Sequence, residues 1–292
     1  MLPIWSIGIY AGRSPLELAP HPALENPVLR AADVHDLDAL FVADPFMVRS
    51  GERWSMFFEI LERSSERGVI GLASSDDGLR WRYEQVVLRE EFHLSYPMVF
   101  EHEGQHYMVP ETLGANCVRL YQADPFPLRW RHVADLVEGQ HADSTLFVHG
   151  ARWWMFTCSK PYQNDTLRLY TADALLGPWR EHPRSPVIVD DTTHARPGGR
   201  VIVDERGRLL RFAQDCSVLY GQALAAFEIV ELDEQRYAER ELGRVLGPGS
   251  GWSALGMHQL DAQRIGPEAW LACVDGQAWP ESDPLDREFV EP

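Results

Sequence analysis

The sequence predicts an all-β protein: a five-bladed β-propeller of four-stranded blades, with the last blade closed by N- and C-terminal strands. Three observations predict it. A hairpin-like motif is written three times, as ADPFMVRSGERWSMFFE from Ala43, SYPMVFEHEGQHYMVPE from Ser95 and ADSTLFVHGARWWMFTC from Ala142. Each copy is followed by a strand–turn–strand pattern carrying a Trp, at Trp81, Trp130 and Trp179. The copies recur after 52 residues (Asp44 to Tyr96) and 47 residues (Tyr96 to Asp143), near the period of about 40–50 residues of four-stranded propeller blades.

Taken in order, the apolar N-terminus MLPIWSIGIYAGRSP has no basic leader and too short an apolar run for a signal peptide, so it reads as a strand. Continued to Leu29, it matches the outer half of a blade. In the first full unit DPFMV and RWSMFFE flank the turn RSGE, and GVIGLASSDDGLRWRYEQVVL supplies two outer strands. The second unit turns at EHEG and the third at HGAR. The fourth diverges, with ARPGGRVIVDERGRLLRFAQDC as its hairpin and LYGQALAAFEIVELDEQRYAERELGRVL as its outer strands. The fifth has only the hairpin SALGMHQLDAQRIGPEAWLACVDG, so the N-terminal strands are assigned to it. Such closure ties down the ends and removes an exposed sheet edge. Residues 1–292 are read as a single domain. Gly247–Gly251 reads as a loop, and the acidic tail from Pro280 is expected to be loosely held.

Counting outward from each turn sets Asp44 opposite Glu59, Tyr96 opposite Glu111 and Asp143 opposite Cys158. Directly opposed side chains lie about 4.5–5.5 Å apart at Cβ, so each hairpin is expected to present two neighbouring side chains at its mouth.

The net charge of −17 argues against nucleic acid or anionic membranes as partners, because phosphate binding needs a basic face. No apolar run is long enough for a membrane span. The four Cys, at 117, 158, 216 and 273, form no CxxC pair. They read as free thiols of a reducing compartment, which places the protein in the cytoplasm. Oligomeric state is not legible. No phosphate loop, GxSxG elbow or Rossmann fingerprint is present, and without HxH or HExxH spacing no metal site is predicted, although His93, His141 and His194 each precede an inner strand. No cofactor is expected.

The segments FVADPFM, FHLSYPMVF, YMVPE, ADSTLF, WWMF, GPWREHP, ARPGGR, RFAQDC and GMHQLD are spread over nearly the whole chain. Together they resemble the propeller family that includes the N-terminal domain of glucosamine inositolphosphorylceramide transferases and standalone bacterial proteins. More distantly, the chain is similar to glycoside hydrolase family 43. That resemblance implies three carboxylates converging at the propeller axis: an Asp base from the first blade, an Asp that tunes the acid, and a Glu acid. Asp44 matches the first role. Tyr96 stands at the second place and Asp143, not Glu, at the third.

The residues themselves add Glu111, which is expected beside Tyr96 and could supply the carboxylate Tyr96 lacks. Glycoside hydrolysis needs one protonated acid and one ionised base or nucleophile, and crowded carboxylates push their pKa values apart. Asp44 is therefore assigned as base and Glu111 or Asp143 as acid, the alternative being that they accept hydrogen bonds in blade turns. Glu59, facing Asp44, implies a protonated carboxyl or a bridging cation unless it pairs with Arg, and Glu59 and Tyr96 are candidate substrate contacts. Arg196, Arg200 and Asp215 are candidate substrate contacts in the fourth blade; the Arg could instead lock the funnel carboxylates. His258 is a substrate contact, an axial ligand or a satisfied histidine. Trp252 breaks the repeat and is the candidate for stacking on a sugar ring. A glycoside hydrolase-like activity on a glycan or glycoconjugate is expected, with a non-catalytic carbohydrate-binding propeller as the alternative.

Overall fold

In the computed structural model, which describes residues 2–280, the chain forms five antiparallel sheets of four strands each. It opens with β1 (Ile4–Ser14) and β2 (Glu17–Pro20). The first full blade is β3 (Ala39–Ser50), β4 (Arg53–Glu62), β5 (Arg67–Ser75) and β6 (Arg82–Leu88). The second is β7 (Ser95–His102), β8 (Gln105–Glu111), β9 (Cys117–Ala123) and β10 (Trp130–Glu138). The third is β11 (Ala142–His149), β12 (Arg152–Cys158), β13 (Leu167–Ala172) and β14 (Arg180–Glu181). The fourth is β15 (Ile202–Val203), β16 (Leu209–Asp215), β17 (Ala223–Leu232) and β18 (Tyr237–Leu246). β19 (Leu260–Gly266) and β20 (Ala269–Ala278) complete the fifth sheet in the order β19-β20-β1-β2. The predicted propeller and its shared closing blade are both present. The expected loose tail, residues 281–292, lies outside the described residues.

The strand sequences explain the packing. Residues on a strand alternate between its two faces, and a blade between two others buries both. In β4, Phe57 joins the core shared by the first three blades, while Met56, Phe58 and Ile60 join the core shared with the fifth. In β12, Met155 faces one neighbour and Trp154 and Phe156 the other. These strands therefore read as continuous apolar runs. The outermost strands β6, β10 and β18 carry charged, exposed residues, which discourages edge pairing. The repeated Trp side chains are fasteners: Trp81, Trp130 and Trp179 donate their indole N–H groups to the carbonyls of Gly78, Pro127 and Leu175 in the preceding turns.

The turns follow their sequences. Glu103 and Gly104 both have positive φ (51° and 74°), as the tight EHEG hairpin requires. The fourth blade diverges for a local reason. Pro197 has no N–H to give, and Gly199 (φ 142°) sits where a Cβ would lie 1.9 Å from the Leu260 carbonyl oxygen. The inner strand of that blade is thus reduced to Ile202–Val203. Among the described residues no helix is long and apolar enough to cross a membrane. The four Cys are free thiols; Cys117, Cys158 and Cys273 are buried.

Candidate functional site

The innermost strands of the first three blades share one irregularity. Asp44, Tyr96 and Asp143 all sit at left-handed φ, 53°, 46° and 52°. Each is the extra residue of a β-bulge, where the register shifts between Ala43 and Phe46, Ser95 and Met98, and Ala142 and Thr145. The bulge corrects the expected pairings. Glu59 lies opposite Ala43, Glu111 opposite Ser95 and Cys158 opposite Ala142, one residue earlier than uniform counting places them. It also takes the bulged residues out of the ladder, freeing their backbone N–H groups.

Those N–H groups link the blades. The amide of Asp44 donates to Asp275 Oδ2 (3.1 Å), and the amide of Tyr96 donates to Asp44 Oδ2 (3.1 Å). Asp275 Oδ1 accepts from the amides of His258 and Gln259, at 3.0 Å each. The His258 ring lies between two acids, with Nδ1 2.7 Å from Asp275 Oδ2 and Nε2 3.4 Å from Asp44 Oδ1. Trp5 stacks on its face at 4.0 Å. Burial opposes the charged imidazole, but Asp275 and Asp44 outweigh it and raise the His258 pKa.

On the other side of the axis Arg196 gathers the remaining acids. Its Nε donates to Asp143 Oδ2 (2.6 Å), and Nη2 donates to Glu111 Oε2 (3.2 Å) and Asp143 Oδ1 (3.4 Å). Nη1 donates to the Pro161 carbonyl (3.0 Å) and Asn164 Oδ1 (2.8 Å). Gln214 Nε2 gives Asp143 Oδ2 a further hydrogen bond at 2.8 Å. The Tyr220 ring lies 5.1 Å from the Arg196 guanidinium and edge-on to His258 at 5.4 Å, so it spans both halves of the site.

Asp44, Glu111 and Asp143 are thus brought together and buried. Their electrostatics differ. Asp143 accepts three hydrogen bonds from Arg196 and Gln214, which favours Glu111 over Asp143 for the role of acid. Burial raises Glu111 to about 8 against the pull of Arg196, helped by the charges of Asp143 and Asp44. Burial likewise raises Asp44 to about 7 against the pull of His258. Glu59 is pushed well up, by burial first and then by Asp44, Glu111, Asp143 and Asp275.

The other candidates divide. Tyr96 is fully buried, its hydroxyl paired with Thr145 Oγ1 (2.8 Å) and accepting the Gly199 N–H (2.8 Å), so it joins three blades rather than facing a ligand. Arg200 lies outside the cluster, bound to Asp261 (2.7 and 3.3 Å) and the Val99 carbonyl. Asp215 accepts from the amide and hydroxyl of Ser217 and shapes the β16–β17 turn. Trp252 is no free stacking platform: its ring packs where Cβ atoms on Gly8 and Gly276 would lie 2.6 and 2.5 Å away. Glu59 meets His93, at 3.3 Å, rather than an Arg. His141 and His194 turn to the Glu138 carbonyl and to Asp191.

Sequence reading missed Asp275, Gln214 and Tyr220. Gln214 stands in the quoted AQDC segment one position from Asp215, and strand alternation would have turned only one of the two to the axis. Asp275 carries no such signal. Ligand atoms of Asp44, His258 and Asp275 fall within 4.8 Å of one another, a spacing open to a cation. All four carboxylate oxygens, however, are already met by backbone amides or by the His258 ring. His258 Nδ1, though 2.7 Å from Asp275 Oδ2, makes no aligned hydrogen bond there.

The site can be set beside known proteins. An α-L-arabinanase of Cellvibrio cellulosa aligns over 80% of this chain and 86% of its own, with a TM-score of 0.57 and 17% identity. An exo-β-1,3-galactanase of Clostridium thermocellum aligns over 73% of this chain and 51% of its own, with a TM-score of 0.59 and 12% identity. At such identities the likeness is one of fold. Glucosamine inositolphosphorylceramide transferase 1 of Oryza sativa subsp. japonica is 34% identical over 97% of this chain, and that of Arabidopsis thaliana 30% over 97%. The chain spans 41% and 40% of those relatives' lengths. The family model for glucosamine inositolphosphorylceramide transferase 1, N-terminal, matches residues 3–277. The chain therefore belongs to the family of the N-terminal region of glucosamine inositolphosphorylceramide transferase 1.

Proposed function

We propose that the chain acts on a glycan or glycoconjugate at the axial cluster by carboxylate acid/base chemistry, with Glu111 as proton donor and Asp44 as base. One observation carries this reading: Asp44, Glu111 and Asp143 are buried together at the axis, with Asp143 held by Arg196 and Gln214, and burial raises Asp44 to about 7 and Glu111 to about 8. Groups poised near neutrality in this way suit proton transfer. At neutral pH Glu111 keeps a proton to give to a leaving oxygen. The carboxylate it becomes is stabilised by Arg196 Nη2, 3.2 Å away. Asp44, once ionised, is stabilised by the Tyr96 amide and faces His258. The relatives' name mentions glucosamine and an inositolphosphorylceramide, which favours a glycoconjugate as substrate class. The free thiols favour a cytoplasmic setting.

A second reading, a carbohydrate-binding propeller without turnover, is favoured by the ion pairs of Arg196 and by the depth of the acids. A panel of aryl glycosides and glycans assayed for both cleavage and binding separates the two. Cleavage by the wild type that falls at least about 100-fold in Asp44→Asn supports the acid/base reading. Binding without cleavage, unchanged in Asp44→Asn, supports the second and removes the first.

A further inference from the structure

Charges at the axis do not balance. Arg196 is matched by Asp143, and His258 by Asp275. Asp44, Glu59 and Glu111 remain. Asp44 still faces His258, and Glu111 still reaches Arg196. Glu59 has neither. It occupies in the first blade the place Glu111 holds in the second, each opposite the residue before a bulge. Its carboxyl is buried among Asp44, Glu111, Asp143 and Asp275. Among the described residues its one neighbour of basic type is His93 in the β6–β7 loop, with Nε2 3.3 Å from Glu59 Oε1. That ring is not a cation. Nδ1 accepts the Gly68 amide N–H at 2.9 Å, so the ring's proton is on Nε2, the nitrogen nearest Glu59.

The contact is built for this pair. A Cβ on Gly68 would lie 2.9 Å from both Glu59 Oε1 and His93 Cε1, and 2.1 Å from the Leu94 carbonyl oxygen. Only glycine leaves room for the carboxyl and the ring to meet. A buried carboxylate with acids around it and one neutral N–H as partner is costly, so the group neutralises instead.

We propose that Glu59 is a further, positioning acid of the site: a neutral carboxylic acid at physiological pH, oriented by His93 in the notch at Gly68. Oε1 is the oxygen beside His93 Nε2, which leaves Oε2 to carry the proton and to donate it in a hydrogen bond, either to the Asp44 carboxylate or to an acceptor oxygen of a neutral sugar. The neutral form adds no charge to a crowded site. It thereby keeps Asp44 able to ionise while Asp143 is charged. The use of this donor rests on the acid/base reading above; the proton on Glu59 does not.

The test is a pH titration followed by NMR of protein carrying ¹³C only at glutamate carboxyls. Two glutamates are expected to give late-titrating signals, Glu111 near 8 and Glu59 well above the ordinary glutamate value of about 4.3. Glu59→Gln should remove one late signal and Glu111→Gln the other. His93→Phe should move the Glu59 titration further upward, because the ionised form loses its one donor, and leave Glu111 in place. A single late signal that disappears in Glu111→Gln overturns the inference while sparing the acid/base reading. No late signal overturns both. Should Glu59→Gln fail to fold, the wild type and Glu111→Gln spectra decide by subtraction, since a late signal surviving in Glu111→Gln belongs to Glu59.

Discussion

Arg196 is the residue on which the site depends most. It is buried, donates to five acceptors and holds Asp143 and Glu111 together. Arg196→Met leaves a buried carboxylate without its counter-charge, so an equilibrium denaturation series should show a loss of about 3–5 kcal/mol. Arg196→Lys should recover only part of it, because an ammonium cannot reproduce the planar fork. The acids make a separate prediction about pH. Asp44 and Glu111 titrate at about 7 and about 8 in the folded protein, against about 4 in an unfolded chain. Between those limits the native state holds more protons than the unfolded state, so stability falls as pH rises. Their contribution is complete below the unfolded values and lost as pH passes through the folded ones. His258, also raised, acts in the same direction. Glu239, which Arg211 lowers against burial, acts oppositely, and its contribution disappears as pH falls through its depressed value. Denaturation midpoints should therefore fall between about pH 4 and pH 8, and Glu111→Gln should flatten that slope.

At the scale of the element, the bulge decides which side chains reach the axis. The repeat in the sequence marked Asp44, Tyr96 and Asp143 as equivalent but gave no sign that all three are bulged. Which residue each faces was not legible, because a bulge adds one residue to one strand and leaves no mark in composition. Uniform counting therefore set Glu59 against Asp44, whereas it stands against Ala43. Tyr96 shows how one bulge residue is adapted. Its ring replaces a carboxylate with a phenol that bonds Thr145 in the third blade and the Gly199 amide in the fourth. Tyr96→Phe leaves that buried amide unpaired, and thermal or chemical unfolding should show a cost of about 1–3 kcal/mol with the blade structure retained. The same reasoning explains why Arg200 and Trp252 were misjudged. An Arg near a funnel and a Trp in a loop look alike in sequence whether they meet ligand or backbone. Only Asp261 and the two glycines under the indole tell them apart.

For the whole molecule, closure is the governing fact. The fold was legible because propeller blades repeat, and a fifth hairpin without outer strands required the N-terminus to complete it. β1 pairs with β20 over nine residues, from Ile4 with Ala278 to Gly12 with Trp270, and Trp5 of β1 also stacks on His258. Deleting residues 2–20 should abolish the cooperative thermal transition and produce aggregation by size-exclusion chromatography, since β20 would become an open, apolar edge. Closure also carries the site: Asp275 on β20 reaches Asp44 on β3, and Asp44 in turn reaches Tyr96 on β7. The site was less legible than the fold because its charges come from distant segments whose pairing no local pattern encodes. Gln214 and Asp275, both on Asp143 or His258, are the clearest cases. Whether Glu111 and Asp44 form an acid/base pair at the axis is decided by the pH dependence of glycoside cleavage. The predicted result is a bell with limbs near 7 and 8, set by Asp44 and Glu111, whose alkaline limb disappears in Glu111→Gln as the rate falls about 100-fold or more. A profile and rate unchanged by Glu111→Gln would contradict it.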